Sequence, residues 1–360
     1  MSDRVTIAHD YFGLRGGGER LVLVAAEALG ARLVCGFRNA ESYDATMFPH
    51  DTVDLHLPSM LQRPGLRAAA LAIRFTAARS AFQDSSIRIF SGVAAPFAAE
   101  TASGVRNVYY CHPPPRFLYD QRGYFAGSAS RNPLRQIVLR QFQRGYEDSI
   151  GRMQAIIANS QTVRDRIRTY LGRDAEVIYP PCDLATFQWR GQQGFYLSMA
   201  RLSGLKRVGK IVEAFIQMPD KQLVVASGGE ELPMLSRLAA DAPNITFLGW
   251  VSEEKLRELI GEAIATIYIP VDEDFGMSPV ESMAAGKPVI GVAEGGLLET
   301  IVDGETGILL SPAVSAEAIV DAVIQMTPSK SAAMRQACVN RAELFSKERF
   351  IAGLRRVIFS

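Results

Sequence analysis

Short apolar runs alternate along this chain with longer stretches whose apolar positions recur at helical spacing. The first run is Val5-Thr-Ile-Ala8, and the loop His9-Asp-Tyr-Phe-Gly-Leu-Arg-Gly-Gly-Gly-Glu19 follows it. A helix over about 19–29 then places Leu21, Val24, Ala25 and Ala28 on one side. The pattern predicts further strands near 32–35, 53–57, 87–90, 105–110 and 155–158, and helices around 66–80, 131–153 and 160–171. Val- and Ile-rich strands separated by helices imply a mostly parallel sheet covered on both faces.

The pattern breaks at Val177-Ile-Tyr-Pro-Pro-Cys-Asp-Leu184, where adjacent prolines stiffen an extended connector. A second series begins at 195–199, with a helix over 207–218 that lines up Val208, Ile211, Val212 and Phe215. Strands follow near 223–226, 245–248, 265–269, 288–292 and 308–310. A last helix over about 347–359 has Ile351, Leu354 and Ile358 on one side and needs a surface to cover. The expected fold class is therefore α/β, with two Rossmann-like parallel domains over 1–182 and 183–340 and a C-terminal segment, 341–360.

Charge supports two units. Residues 1–180 hold 22 Arg, no Lys and 16 acids, a balance of +6; residues 181–360 hold 17 basic residues and 22 acids, a balance of −5. Cys35, Cys111, Cys182 and Cys338 are scattered without a C-x-x-C pair, so neither a disulfide framework nor a zinc site is expected, and the default is a reducing compartment. No apolar run approaches the roughly 18–20 residues of a membrane span, and the start lacks the apolar core of a signal peptide. A cytoplasmic protein is expected.

The chemistry concentrates in Glu273-Asp-Phe-Gly-Met-Ser-Pro-Val-Glu281, two carboxylates eight positions apart around a Phe-Gly-Met turn. A buried strand runs into it and a helix leaves it, with Pro279 suited to the first helical position. Strand, tight turn and helix N-terminus together present free N–H groups that suit a phosphate. The two acids are better suited to hydroxyl-rich groups, which suggests a sugar nucleotide. Arg201 and Lys206, in Ala200-Arg-Leu-Ser-Gly-Leu-Lys-Arg207, are two cations after a strand that could hold a diphosphate. Arg207 is expected to face outward or to pair with an acid. His112 ends another strand and opens the stiff run His-Pro-Pro-Pro-Arg-Phe-Leu-Tyr-Asp120. Gly16-Gly17-Gly18 lacks the spacing of a dinucleotide fingerprint but could bring backbone N–H groups to a diphosphate or an acceptor.

Taken with Ala284-Ala-Gly-Lys-Pro-Val-Ile and Glu294-Gly-Gly-Leu-Leu-Glu-Thr, these motifs resemble the retaining family 4 glycosyltransferases of GT-B fold. The resemblance implies a cleft between the domains for donor and acceptor, and a last helix that crosses back to the first domain. It implies that Glu273 binds hydroxyls of the donor sugar, Phe275, Gly276, Met277 and Ser278 offer backbone N–H groups, and Glu281 takes the ribose. Arg201 and Lys206 would hold the diphosphate, Gly16, Gly17 and Gly228 would line the donor pocket, and the base would stack near Val251. His112 would bind the sugar or move a proton; His9, Tyr11, His112 and Arg116 would meet the acceptor. No metal and no cofactor beyond the nucleotide-sugar donor is expected, with Asp272-Glu-Asp274 as a rival metal motif. The motifs look most like bacterial mannosyltransferases that use GDP-mannose in exopolysaccharide or O-antigen assembly, with a UDP-sugar donor open. A lipid-linked saccharide is the expected acceptor. Arg63, Arg67 and Arg74 on one helix face, with Arg131 and Arg135, suggest peripheral contact with the inner membrane surface, and no nucleic-acid partner is expected. Two other readings stand beside this one: a GT-B sugar-nucleotide epimerase and a non-catalytic binding module.

Overall fold

A computed structural model describes residues 4–13, 16–39, 42–122 and 133–360. The chain divides into two compact units, residues 1–180 with 350–360, and residues 181–349.

Unit 1 runs β1 (Val5–His9), α1 (Gly17–Leu29), β2 (Arg32–Cys35), β3 (Val53–Asp54), α2 (Arg67–Ala77), β4 (Ile87–Ser91), β5 (Arg106–Cys111), α3 (Pro133–Gly151), β6 (Ala155–Ala158), α4 (Gln161–Leu171) and β7 (Glu176–Val177). Its seven strands are ordered β3-β2-β1-β4-β5-β6-β7, all neighbours parallel. Every residue of β1 and β4 is buried, as a sheet covered on both faces requires. One face packs Leu71 and Phe75 of α2, Phe142 and Tyr146 of α3, and Val163 and Ile167 of α4. The other packs α1 and the last helix of the chain.

Unit 2 runs β8 (Phe195–Ser198), α5 (Val208–Ile216), β9 (Gln222–Val225), α6 (Leu232–Leu238), β10 (Ile245–Phe247), α7 (Glu253–Glu262), β11 (Thr266–Ile267), α8 (Met277–Ala284), β12 (Val289–Val292), α9 (Leu297–Thr300), β13 (Gly307–Leu310), α10 (Ala316–Gln325) and α11 (Pro328–Ala342). Its parallel sheet is ordered β10-β9-β8-β11-β12-β13. Local chemistry sets the helix starts: Ser252, Ser315 and Thr327 each accept a hydrogen bond from the backbone N–H three residues on.

The last helix, α12 (Lys347–Ile358), begins in unit 2 and belongs to unit 1 from Phe350 onward. Phe350, Leu354, Val357 and Ile358 join the core beside α1, Arg106 donates to Val357 O, and Arg355 donates to Ala28 O.

Several elements differ from the pattern-based expectation. β3 stops after two residues because His56 takes a left-handed backbone, although Leu55 and Leu57 still donate to Cys35 O and Gly36 O. β7, a short edge strand, carried no apolar signal. α8 starts at Met277, so Pro279 is its third residue; the N–H that proline lacks is still among the four that a helix start leaves unpaired. Arg63 precedes α2, and Arg67 lies against the Tyr11 ring at 4.3 Å, so the three arginines do not share one open face. Arg131 lies outside the described residues. Among the described residues, no helix is long and apolar enough to cross a membrane.

The packing of α12 yields a prediction. Leu354 is 1% exposed, and Leu354→Ala should cost about 2–5 kcal/mol by urea unfolding. A loss below about 1 kcal/mol would show that α12 is not part of the unit 1 core.

Candidate active site

Both sheets reverse their strand order once, and ligands of such sheets bind beyond the carboxyl ends of the strands at that reversal. In unit 2 the reversal falls between β8 and β11. The loop after β8 delivers Lys206 and the loop after β11 delivers Glu273. Lys206 Nζ lies 2.5 Å from Glu273 Oε2 and 2.9 Å from Tyr268 OH, and Tyr268 OH lies 2.9 Å from the same carboxylate oxygen. The three groups close a ring in which the ammonium spends two of its three N–H donors. The Tyr268 phenol is held protonated, first by burial and then by the neighbouring Glu273 charge.

Glycines let the backbone close around this ring. Gly276, at φ 91°, caps α8, so the N–H groups of Met277 and Ser278 stand at the open helix start, and Glu281 follows in the second turn. A Cβ on Gly295 would sit 2.3 Å from Glu273 O, and one on Gly296 2.4 Å from Phe275 Cα. The two glycines therefore press backbone against backbone on the Glu273 loop, and Gly296 N–H donates to Glu273 O. Phe275 turns inward and packs on Phe345, so only its backbone can serve a ligand. Trp250, 72% exposed, lies over Gly228, where a Cβ would come within 2.5 Å of its indole nitrogen; Val251 is the next residue. Arg201 is not part of the ring: it pairs loosely with Glu230 at 3.6 Å, both side chains more than half exposed. Arg207 pairs with Glu294 at 3.0 Å.

In unit 1 the reversal falls between β1 and β4. Register sets His9 beside Ser91, and His112 follows directly after the next strand, β5. Ser91 Oγ joins the two rings, 3.1 Å from His9 Nδ1 and 2.9 Å from His112 Nε2. One hydroxyl has one proton, so it donates to one ring and accepts from the other. Nδ1 is the His112 ring nitrogen that Ser91 does not engage. Burial lowers both histidines, His9 to about 3 with the nearby His112 adding to the shift, and His112 to about 4, so both are neutral. A Cβ on Gly18 would lie 3.2 Å from the His112 ring, so the start of α1 approaches it there, one residue beyond Gly16 and Gly17. Asp10 fixes the loop after β4 by accepting N–H bonds from Val93, Ala94 and Ala95. Tyr11 stacks on Phe37 as well as on Arg67. Arg116 closes onto Asp120 at 3.0 Å and is mostly buried.

Comparison with known proteins decides what this framework belongs to. Residues 15–186 match the family model described as Glycosyltransferase Family 4, and residues 184–345 the one described as Glycosyl transferases group 1. The chain belongs to the family 4 glycosyltransferases of GT-B fold.

Mouse alpha-1,3/1,6-mannosyltransferase ALG2 is 27% identical over 242 residues, 58% of this chain and 56% of that protein. The D-inositol 3-phosphate glycosyltransferase of Mycobacteroides abscessus is 26% identical over 225 residues, 56% and 51% of the two chains. The chain spans about half the length of these relatives or a little more. Among solved structures, sucrose-phosphate synthase from Thermosynechococcus elongatus superposes with a TM-score of 0.77 at 16% identity over 98% of both chains. Anabaena HepE, solved with UDP-glucose, superposes at 0.73 and 19% over 99% of both. These two likenesses show the fold.

Four side chains of the two strand-end clusters were not expected from the sequence: Tyr268, Glu294, Ser91 and Trp250. Glu294 opens the run Glu294-Gly-Gly-Leu-Leu-Glu-Thr and Trp250 adjoins Val251, so each had a signal. Ser91 ends β4 and Tyr268 directly follows β11, each within an apolar run, and neither had one.

The neutral histidines predict a pH dependence. On unfolding, each ring returns to its ordinary value near 6.5 and gains a proton that the folded protein refuses. Their contribution is therefore fully present above pH 6.5 and is lost as pH falls toward 4, by up to ~1.4 kcal/mol per pH unit for each ring. Denaturation curves from pH 7 to 4.5 should show His112→Gln removing roughly half of the histidine-dependent slope. Parallel slopes in the two proteins would contradict the buried neutral ring.

Proposed function

We propose that the protein transfers a hexose, with retention of configuration, from a nucleotide sugar to a lipid-diphosphate-linked saccharide, and that the donor is GDP-mannose in bacterial exopolysaccharide or O-antigen synthesis. The observation that carries the donor reading is the Lys206–Glu273 contact at the strand reversal of unit 2, beside the start of α8. Lys206 has one N–H left for a diphosphate oxygen, and the Met277 and Ser278 N–H groups add the charge complement of a helix start. Glu273 and Glu281 accept hydrogen bonds from sugar and ribose hydroxyls. The exposed Trp250 face offers the base a stacking surface, and Arg201, in the same loop as Lys206, supplies further positive charge. These cations balance the charge that grows on the leaving diphosphate, so no metal is required.

In the transfer, an acceptor hydroxyl attacks the anomeric carbon on the face the diphosphate leaves, and a phosphate oxygen takes its proton. His112, neutral and held by Ser91, is suited to hydrogen-bond a sugar hydroxyl. The mannose reading is supported by the mannosyltransferases among the relatives. The alternative donor is a UDP-sugar, the class bound by HepE. Contact with an anionic membrane surface is supported in unit 1 by exposed Met60, Leu66 and Ile73 beside exposed Arg63 and Arg74.

A panel of GDP- and UDP-sugars tests this reading by thermal protection and nucleoside diphosphate release. At about 100 times Kd the true donor should stabilise by ~2.7 kcal/mol. Glu273→Gln should lower turnover by about 10²–10³-fold, and EDTA should leave turnover unchanged. Protection by no nucleotide sugar, or loss of activity in EDTA, would overturn the reading.

A further inference from the structure

Two non-glycine residues beside the Lys206–Glu273 contact hold a left-handed backbone. Arg207, at φ 53°, directly follows Lys206, and Asp272, at φ 46°, directly precedes Glu273. Among the described residues only His56, in unit 1, shares this property outside glycine. Such backbones are disfavoured for side chains with a Cβ and persist where the surroundings enforce them.

The surroundings here converge on one atom. Glu294 Oε1 accepts from the Asp272 backbone N–H at 2.9 Å and from the Arg207 guanidinium at 3.0 Å. The carboxylate and the guanidinium are each about four-fifths buried, 19% and 20% exposed, so solvent does little to screen the pair. The two loops are also joined by Val271 N–H to Leu205 O at 2.7 Å. Immediately after Glu294, Gly295 and Gly296 hold the backbone of Glu273 itself. The segment 294–296 thus grips the residue before Glu273, the residue after Lys206, and the main chain of Glu273.

We propose that Glu294 is a positioning residue for sugar transfer. It sets the loop carrying Lys206 in register with the loop carrying Glu273, and so fixes the separation of Nζ and Oε2. It touches neither donor nor acceptor. The proposal rests on the reading of this pair as the donor site. Removing the carboxylate takes away the acceptor of the Asp272 N–H and leaves the Arg207 guanidinium its longer bond to Pro312 O at 3.3 Å. Asp272 can then relax toward negative φ, and that turns the adjoining Glu273 away from Lys206.

The test compares Glu294→Ala, Glu294→Gln and Asp272→Gly, and combines the first with the last, measuring kcat, donor KM and Tm. Glu294→Ala should lower kcat by about 10- to 100-fold, the scale of an ångström-level misplacement, with donor KM within about threefold. Glu294→Gln keeps an acceptor for both donors and should recover most of the loss. Glycine adopts left-handed φ without help, so Asp272→Gly should restore part of the turnover in the Glu294→Ala background. If Glu294→Ala does not fold, Arg207→Met removes one of the two donors and should also lower kcat at near-constant KM. A lower Tm with wild-type kcat per folded molecule would make Glu294 merely structural and overturn the proposal. Wild-type turnover in Glu294→Ala beside a failing Glu273→Gln sinks this inference alone, whereas wild-type protein that transfers from no nucleotide sugar sinks the donor reading beneath it.

Discussion

An ammonium and a carboxylate 2.5 Å apart, with a buried phenol against both, tie together the two loops on which the chemistry of unit 2 depends. The loops arise 67 residues apart in sequence and meet because the sheet order places β8 beside β11. Parallel topology alone brings loop ends near one another; it does not fix side chains to a fraction of an ångström. That last step is left to close-packed glycines and to Glu294, which make the position of Glu273 a matter of backbone contact. The site is thus rigid where a donor would be oriented and open at the start of α8, where N–H groups remain to be satisfied.

Unit 1 solves a different electrostatic problem with the same topology. Its strand reversal collects two imidazoles and a hydroxyl deep enough that burial keeps both rings neutral. Neutral rings joined by one hydroxyl can donate and accept but carry no charge to repel or trap a phosphate. Lysine and arginine carry the positive charge in unit 2. The two strand-end clusters therefore differ in charge as well as in sequence.

Much of this was readable from residue patterns, for physical reasons. Strand ends and glycine turns are local events, so the loops after β8 and β11, with Lys206 and Glu273, stood out as places where chemistry could sit. Arg207 was expected to face out or find an acid, and it finds Glu294, 87 residues away. Long-range partners leave no trace in spacing, so neither that pairing nor the Ser91 bridge between His9 and His112 could be read beforehand. Tyr268 was hidden differently: in the apolar run at the end of β11 a tyrosine looks like core, and only its hydroxyl shows otherwise. β3 came out shorter than its apolar run because a left-handed His56 ends it after Asp54, and β7 failed to register because a two-residue edge strand with an exposed Glu176 carries no alternation.

The central claim is that Lys206 is aimed at the diphosphate of a nucleotide sugar. Titration calorimetry of GDP and UDP against wild-type protein and Lys206→Met measures this directly. A charge-assisted hydrogen bond contributes about 1.5–3 kcal/mol, so the variant should bind the preferred nucleotide roughly 10- to 150-fold more weakly. Equal affinity in the two proteins would contradict the account.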